Sequence, residues 1–189
     1  MGTTSRSRAP SPITPLGLVE LAVPGIAIGL LCGLFAALIS TLGGLSLGFM
    51  ATSAMAMGVP MAIAGGGYCV LLALGWFQIG TVGPMAAYWA VCFPLARLVH
   101  EFAMAYTFDY DTVLREPLWS FLLFQAMLSV GFAIGFLWLH ERIAPRWLLR
   151  IQVHNPLANA LLDRYSAHAS TMLRRREEKR ADKKRSPSR

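Results

Sequence analysis

Two His–Glu dipeptides, His100–Glu101 and His140–Glu141, are where chemistry would be sought first in this chain. A zinc-binding helix needs a second histidine four residues after the first, and neither dipeptide has one. His100, Glu101, Asp109, Asp111 and Glu116 put oxygen ligands suited to a divalent ion within one short stretch. Acidic side chains in a loop are more often simply solvated, so no metal is expected there. Met50, Met55, Met57 and Met61 carry the soft thioethers that hold Cu(I), but methionine is far more commonly core filler. Cys32, Cys69 and Cys92 sit in apolar surroundings without a CxxC pair, as small buried hydrophobes do. P-loop and HExxH patterns are missing. The chain reads as a non-enzyme with no cofactor.

The elements that would position these residues are apolar. Of 189 residues, 55% are hydrophobic and 14% charged, against about 25% charged in a soluble domain. No Asp, Glu, Lys or Arg occurs between Glu20 and Arg97, so this stretch has almost no polar face to offer water. The class that follows is an all-α integral membrane protein. The run from Leu16 to Leu42 is too long for the apolar part of a signal peptide and fits an uncleaved anchor. Arg6 occupies the position where a myristoylation motif needs Ser or Thr.

Hydropathy predicts spans over 17–42, 59–79, 82–100 and 118–140, each able to cross about 30 Å of hydrocarbon. Residues 43–58, uncharged and rich in small side chains, are expected to form a loop or half-span packed against protein. Pro60 suits the first turn of the second span, and Pro94 should kink the third. Trp119 and Trp138 near the ends of the fourth match an interfacial belt. Both ends of the chain are basic, whereas the loop from Glu101 to Glu116 carries four acids and one Arg. The positive-inside rule then puts both termini in the cytoplasm and favours an even number of spans. Arg outnumbering Lys, with abundant Ala and Gly, points to a bacterial cytoplasmic (inner) membrane.

Gly25, Gly29, Gly33 and Ala37 share one face of the first span, as Gly131 and Gly135 do on the fourth. Lipid supplies no hydrophobic force between helices, so small residues that let backbones approach are expected to mark packing seams, between these helices or with another subunit. Ile28, beside the first seam, is expected to face lipid.

After the membrane, residues 141–182 are expected to hold two cytoplasmic pieces. The first is an interfacial segment starting near Pro145. The second is an amphipathic helix capped by Asn155 with Pro156 in its first turn. Its stripe of Leu157, Leu161, Tyr165 and Met172 finds nothing to bury it in the expected bundle, which suggests a docking face for a cytoplasmic protein. Arg174, Arg175, Arg176, Lys179, Arg180, Lys183 and Lys184 form a basic cluster suited to anionic lipid. Nucleic acid is a poor fit, because no aromatic side chain is interleaved there to stack on bases. Residues 1–15 and 183–189 are expected to be disordered. The sum is a four-helix transmembrane bundle with a C-terminal amphipathic helix and basic tail. The function expected of it is a subunit or scaffold of a larger membrane assembly, with other membrane subunits as partners. A homo-oligomeric transporter or channel component is the alternative.

Overall fold

The structure is a computed structural model that describes residues 14–185, with side chains through Ala181. The expectations for residues 1–13 and 186–189, and for the side chains of Lys183 and Lys184, lie outside the described residues. Five helices follow in order, α1 (Pro15–Leu42), α2 (Leu47–Ala73), α3 (Val82–Phe108), α4 (Leu118–Ile151) and α5 (Pro156–Arg185), with no strand among the described residues. The first four are long and apolar enough to cross a membrane, the number the hydropathy predicts.

Local chemistry sets the boundaries. The Thr14 hydroxyl accepts from Gly17 N at 3.2 Å and Pro15 opens α1, while Ser46 caps α2 by accepting from Phe49 N at 3.3 Å. Gly75, at φ +88°, terminates α2: Trp76 N reaches back to Leu71 O at 3.0 Å, closing the helix with a left-handed residue. The apolar residues that extend the hydropathy signal to 79 lie beyond this stop. At the other end of the bundle Asp109, at φ 53°, ends α3 in the same left-handed way.

Three boundaries differ from the sequence reading. Residues 47–58 are the first two-fifths of α2 rather than a loop or half-span, because their small side chains are what α1 packs against. The third helix runs on to Phe108, past the expected end at residue 100, which brings Glu101 inside it together with Arg97. Residues 141–151 continue α4 without a break: Pro145 sits within the helix and no separate interfacial piece forms.

α1 and α2 make an antiparallel pair whose backbones touch. A methyl group added at Gly25 would overlap the Gly65 carbonyl; at Gly29 it would overlap the Met61 carbonyl and Ala62 N. At Gly33 it would overlap the Ala54 carbonyl and sit 2.8 Å from the Gly58 Cα. Ala37 is only half-buried at the end of this line, where Ala36 instead packs against the core. Ile28 is buried in the core, so it does not face lipid. The outer faces stay apolar, with Leu34 and Phe35 each 63% exposed. An apolar surface of this extent suits lipid better than water.

α3 and α4 lie against α2 and against each other around an aromatic centre. Trp89 packs edge-on to Phe132 at 4.6 Å and tilted to Phe136 at 4.7 Å between ring centroids. Tyr68 of α2 meets Phe136 edge-on at 5.2 Å, and the Tyr88 hydroxyl donates to Ala64 O at 2.6 Å. The seam makes a specific demand on α1. Gly29→Leu should force α1 and α2 apart and lower stability to unfolding in detergent by about 1–3 kcal/mol or more, read as a lower midpoint. Leu34→Phe on the outer face should leave it unchanged. Equal tolerance of both substitutions would show that the backbones do not touch.

Candidate functional site

Polar side chains concentrate at the two ends of the bundle and at one point in its core. The first group gathers where the start of α1, the ends of α2 and α4, and the start of α5 meet. Pro24 has no N–H to offer the Glu20 carbonyl, and the indole of Trp147 on α4 donates to that freed oxygen at 2.7 Å. Asn155 is buried and fully used: its amide nitrogen donates to Gly17 O at 2.9 Å and Glu20 Oε2 at 3.0 Å. Its Oδ1 accepts from Leu157 N and Ala158 N, both at 3.2 Å, which caps α5. His154 Nε2 lies 3.0 Å from Glu20 Oε1.

From this corner α5 crosses the end of the bundle. Arg164 donates to the carbonyls of Leu72 at 2.8 Å and Phe77 at 3.0 Å, a cation placed at the negative end of α2. Leu161 is 4% exposed and belongs to the core, with Leu157, Leu162 and Tyr165 packed around it. Burial pushes the Tyr165 phenol above its ordinary range, which keeps it neutral. The expectation that the Leu157–Leu161–Tyr165 stripe lacks a partner within the bundle is therefore corrected, because the ends of α2 and α4 cover it. Met172 alone of the four is exposed, at 43%. Every residue from Ala169 to Ala181 is exposed, including Arg174, Arg175, Arg176, Lys179 and Arg180.

In the core, His140 of α4 and Cys69 of α2 lie 3.2 Å apart, Nε2 to Sγ, with Phe136 stacked on the imidazole at 5.6 Å. The other ring nitrogen of His140 and the indole nitrogen of Trp89 are buried without a partner among the described residues.

The third group lies toward the opposite end, within α2 and α3. Arg97 Nη1 sits 3.1 Å from His100 Nδ1, and its Nη2 donates to Glu101 Oε1. A guanidinium has donors only, so His100 Nδ1 must accept and its proton resides on Nε2. That Nε2–H donates to Ser53 Oγ at 2.9 Å, which ties α3 to the segment of α2 expected to be a loop. Beside this cluster lies a cleft of about 310 Å³, lined by Arg97, Glu101, Arg115, Glu116, Phe124 and the buried Gln125 among others.

No family model, curated protein or solved structure matches the chain. Gly25, Gly29 and Gly33 come together with α2, whereas Gly131 and Gly135 face open space with nothing within 4 Å. The suggestion that the two glycine faces pack on each other is thereby corrected: α2 fills the first seam and leaves α4's glycines on the outside. His100 and Glu101 do not combine with Asp109, Asp111 and Glu116 into a metal-ligating group among the described residues. Sequence reasoning missed Ala54, Gly58, Ala62 and Gly65, whose spacing of three to four residues was the available signal. It also missed Ser53, Arg97 and Arg164, because single polar residues within helices carry no periodic signal.

The Arg164 clamp is open to test. Arg164→Met keeps the stem but removes the donors to α2, and stability should fall by about 1.5–3 kcal/mol, the range for hydrogen bonds from a charged group. Arg164→Lys should recover part of the loss, and an unchanged midpoint for Arg164→Met would contradict the clamp.

Proposed function

We propose that this chain is a non-catalytic, multi-pass protein of a bacterial cytoplasmic membrane that serves as a subunit or scaffold of a larger assembly. Four long apolar helices with apolar outer faces support the membrane reading. The contact of Asn155 with Gly17 supports having the start of α1 and the start of α5 at one end, in keeping with two cytoplasmic termini.

One observation carries the scaffold reading: α5 is fastened by its first half and free in its second. Asn155, Leu161 and Arg164 fix its direction against the bundle, and from Ala169 onward the helix extends as an exposed arm. At 1.5 Å per residue the helix reaches about 25 Å from Ala169 to Arg185. A helix bolted down in this way presents its far half in a fixed orientation, which is what a docking element for a cytoplasmic partner requires. Met172 and Leu173 are the exposed apolar anchors on the arm, set among basic side chains. The same basic side chains suit anionic lipid at about 1 kcal/mol each near the surface, and screening by salt would weaken that contact. The exposed Gly131–Gly135 face of α4 offers a neighbouring membrane subunit a close approach.

A second reading, a homo-oligomeric transporter or channel component, is favoured by Arg97, His100 and Glu101 lying inside an apolar helix, since ionisable groups within a span commonly mark pathways. Partner dependence separates the two. Purification in mild detergent should bring down a partner in fixed ratio, and the double variant Met172→Asp, Leu173→Asp should lose it while the chain still accumulates with an unchanged midpoint. Retention of the partner by that variant would sink docking on the arm. Solute movement by the purified chain alone in vesicles would favour transport.

A further inference from the structure

We propose that the cleft beside Arg97 binds a small zwitterionic head group, one that joins an anionic oxygen-bearing group to a primary ammonium. The charges around the cleft are balanced. Arg97 and Arg115 supply guanidinium groups, and Glu101 and Glu116 supply carboxylates. Arg97 and Glu101 already share one contact. A purely anionic ligand would still meet the Glu116 carboxylate and the free Oε2 of Glu101, and a purely cationic one the Arg115 guanidinium and the unspent donors of Arg97. Arg115 and Glu116 are exposed at the rim. Mismatch costs most at the inner wall, where Arg97 and Glu101 are about three-quarters buried and Gln125 is buried. A zwitterion answers both signs there.

The inner wall is built to hold such a group. Arg97 spends one donor on His100 and one on Glu101, which leaves three of its five N–H groups for a ligand. It is also held still, because Ser53 anchors His100 from α2 and His100 in turn receives Arg97. Glu101 accepts from Arg97 through Oε1, so its Oε2 remains to accept from an ammonium. Gln125 is buried in the apolar stretch of α4 and lines the cleft with an amide that both donates and accepts. A carboxylate acceptor of this kind selects an ammonium that has N–H donors over a trimethylated one, which has none.

The volume, about 310 Å³, is at the lower end of small-molecule sites. The cleft also borders Phe124, which is half exposed on the apolar outer face, so an amphiphile could seat its head group here and leave its tails outside. The same chemistry occurs in a phosphatidylethanolamine head group and in a free solute such as phosphoethanolamine. The lipid source rests on the multi-pass reading; the soluble source does not.

Purified, delipidated full-length protein in detergent provides the test without any partner protein. Binding of phosphatidylethanolamine, phosphatidylcholine and phosphatidylglycerol is measured by native mass spectrometry, with soluble phosphoethanolamine as competitor. Phosphatidylethanolamine should bind about tenfold more tightly than either other lipid, equivalent to about 1.4 kcal/mol. Glu101→Gln should abolish the preference, and Arg115→Ala, on a loop residue outside the helices, should weaken binding about tenfold with the fold intact. Competition by phosphoethanolamine would assign the site to a free solute, and its failure to compete would assign it to lipid. Equal binding of all three lipids with no displacement by phosphoethanolamine, or full binding by Arg115→Ala, would overturn the proposal.

Discussion

Contact between the backbones of α1 and α2 is the constraint on which the remaining packing depends. Between Gly25 and Gly65, Gly29 and Met61, and Gly33 and Ala54, no room exists for a side chain on α1. Helices in lipid gain nothing from hiding apolar surface from one another, so dispersion across a close approach has to hold them. That approach sets the register of the hairpin. It places Gly17 at the level of the last turn of α2, so one short segment, Asn155 to Arg164, can bind both. Moving α1 by one turn would separate the Glu20 node from the Arg164 clamp.

Backbone groups that the sequence frees are put to use. Pro24 costs α1 a helical hydrogen bond, and the Trp147 indole replaces it while joining α1 to α4. The carbonyls at the end of α2 receive Arg164, Leu72 O accepting from Gly75 N at 3.1 Å as well. At the other end, Asp109 and Gly44 turn the chain in the left-handed region, and polar contacts there run between side chains instead. One end of the bundle is thus tied by donors to backbone oxygen. The other carries a charged cleft with unspent donors and acceptors.

Much of this was legible in the residues. Four long apolar helices, the α1 glycine face and the Asn155–Pro156 start of α5 follow from hydropathy, spacing and capping chemistry. Residues 47–58 were not legible as a span, because interspersed Gly, Ser and Thr leave the segment only weakly apolar. Those are the residues a close-packed helix needs, so what made the segment look like a loop is what makes it α1's partner. The docking stripe misled for a related reason. Leu157, Leu161 and Tyr165 show that a face will be buried, but periodicity does not say by what, and the ends of α2 and α4 prove sufficient. The cluster at Arg97 depends on α3 continuing past residue 100 to include Glu101 and on Ser53 lying in a helical segment of α2. Only the second of these is a long-range contact that hydropathy cannot report.

Amide hydrogen exchange across residues 47–58, in detergent or lipid nanodiscs, tests the α1–α2 pairing most directly. If these residues are the packed beginning of α2, the amides from Ala51 to Gly58 should be protected to the same degree as those from Met61 to Leu72 in the same helix. Exchange at the rate of an open loop over 51–58, with protection only beyond Pro60, would contradict the seam and with it the placement of Ser53, His100 and the cleft.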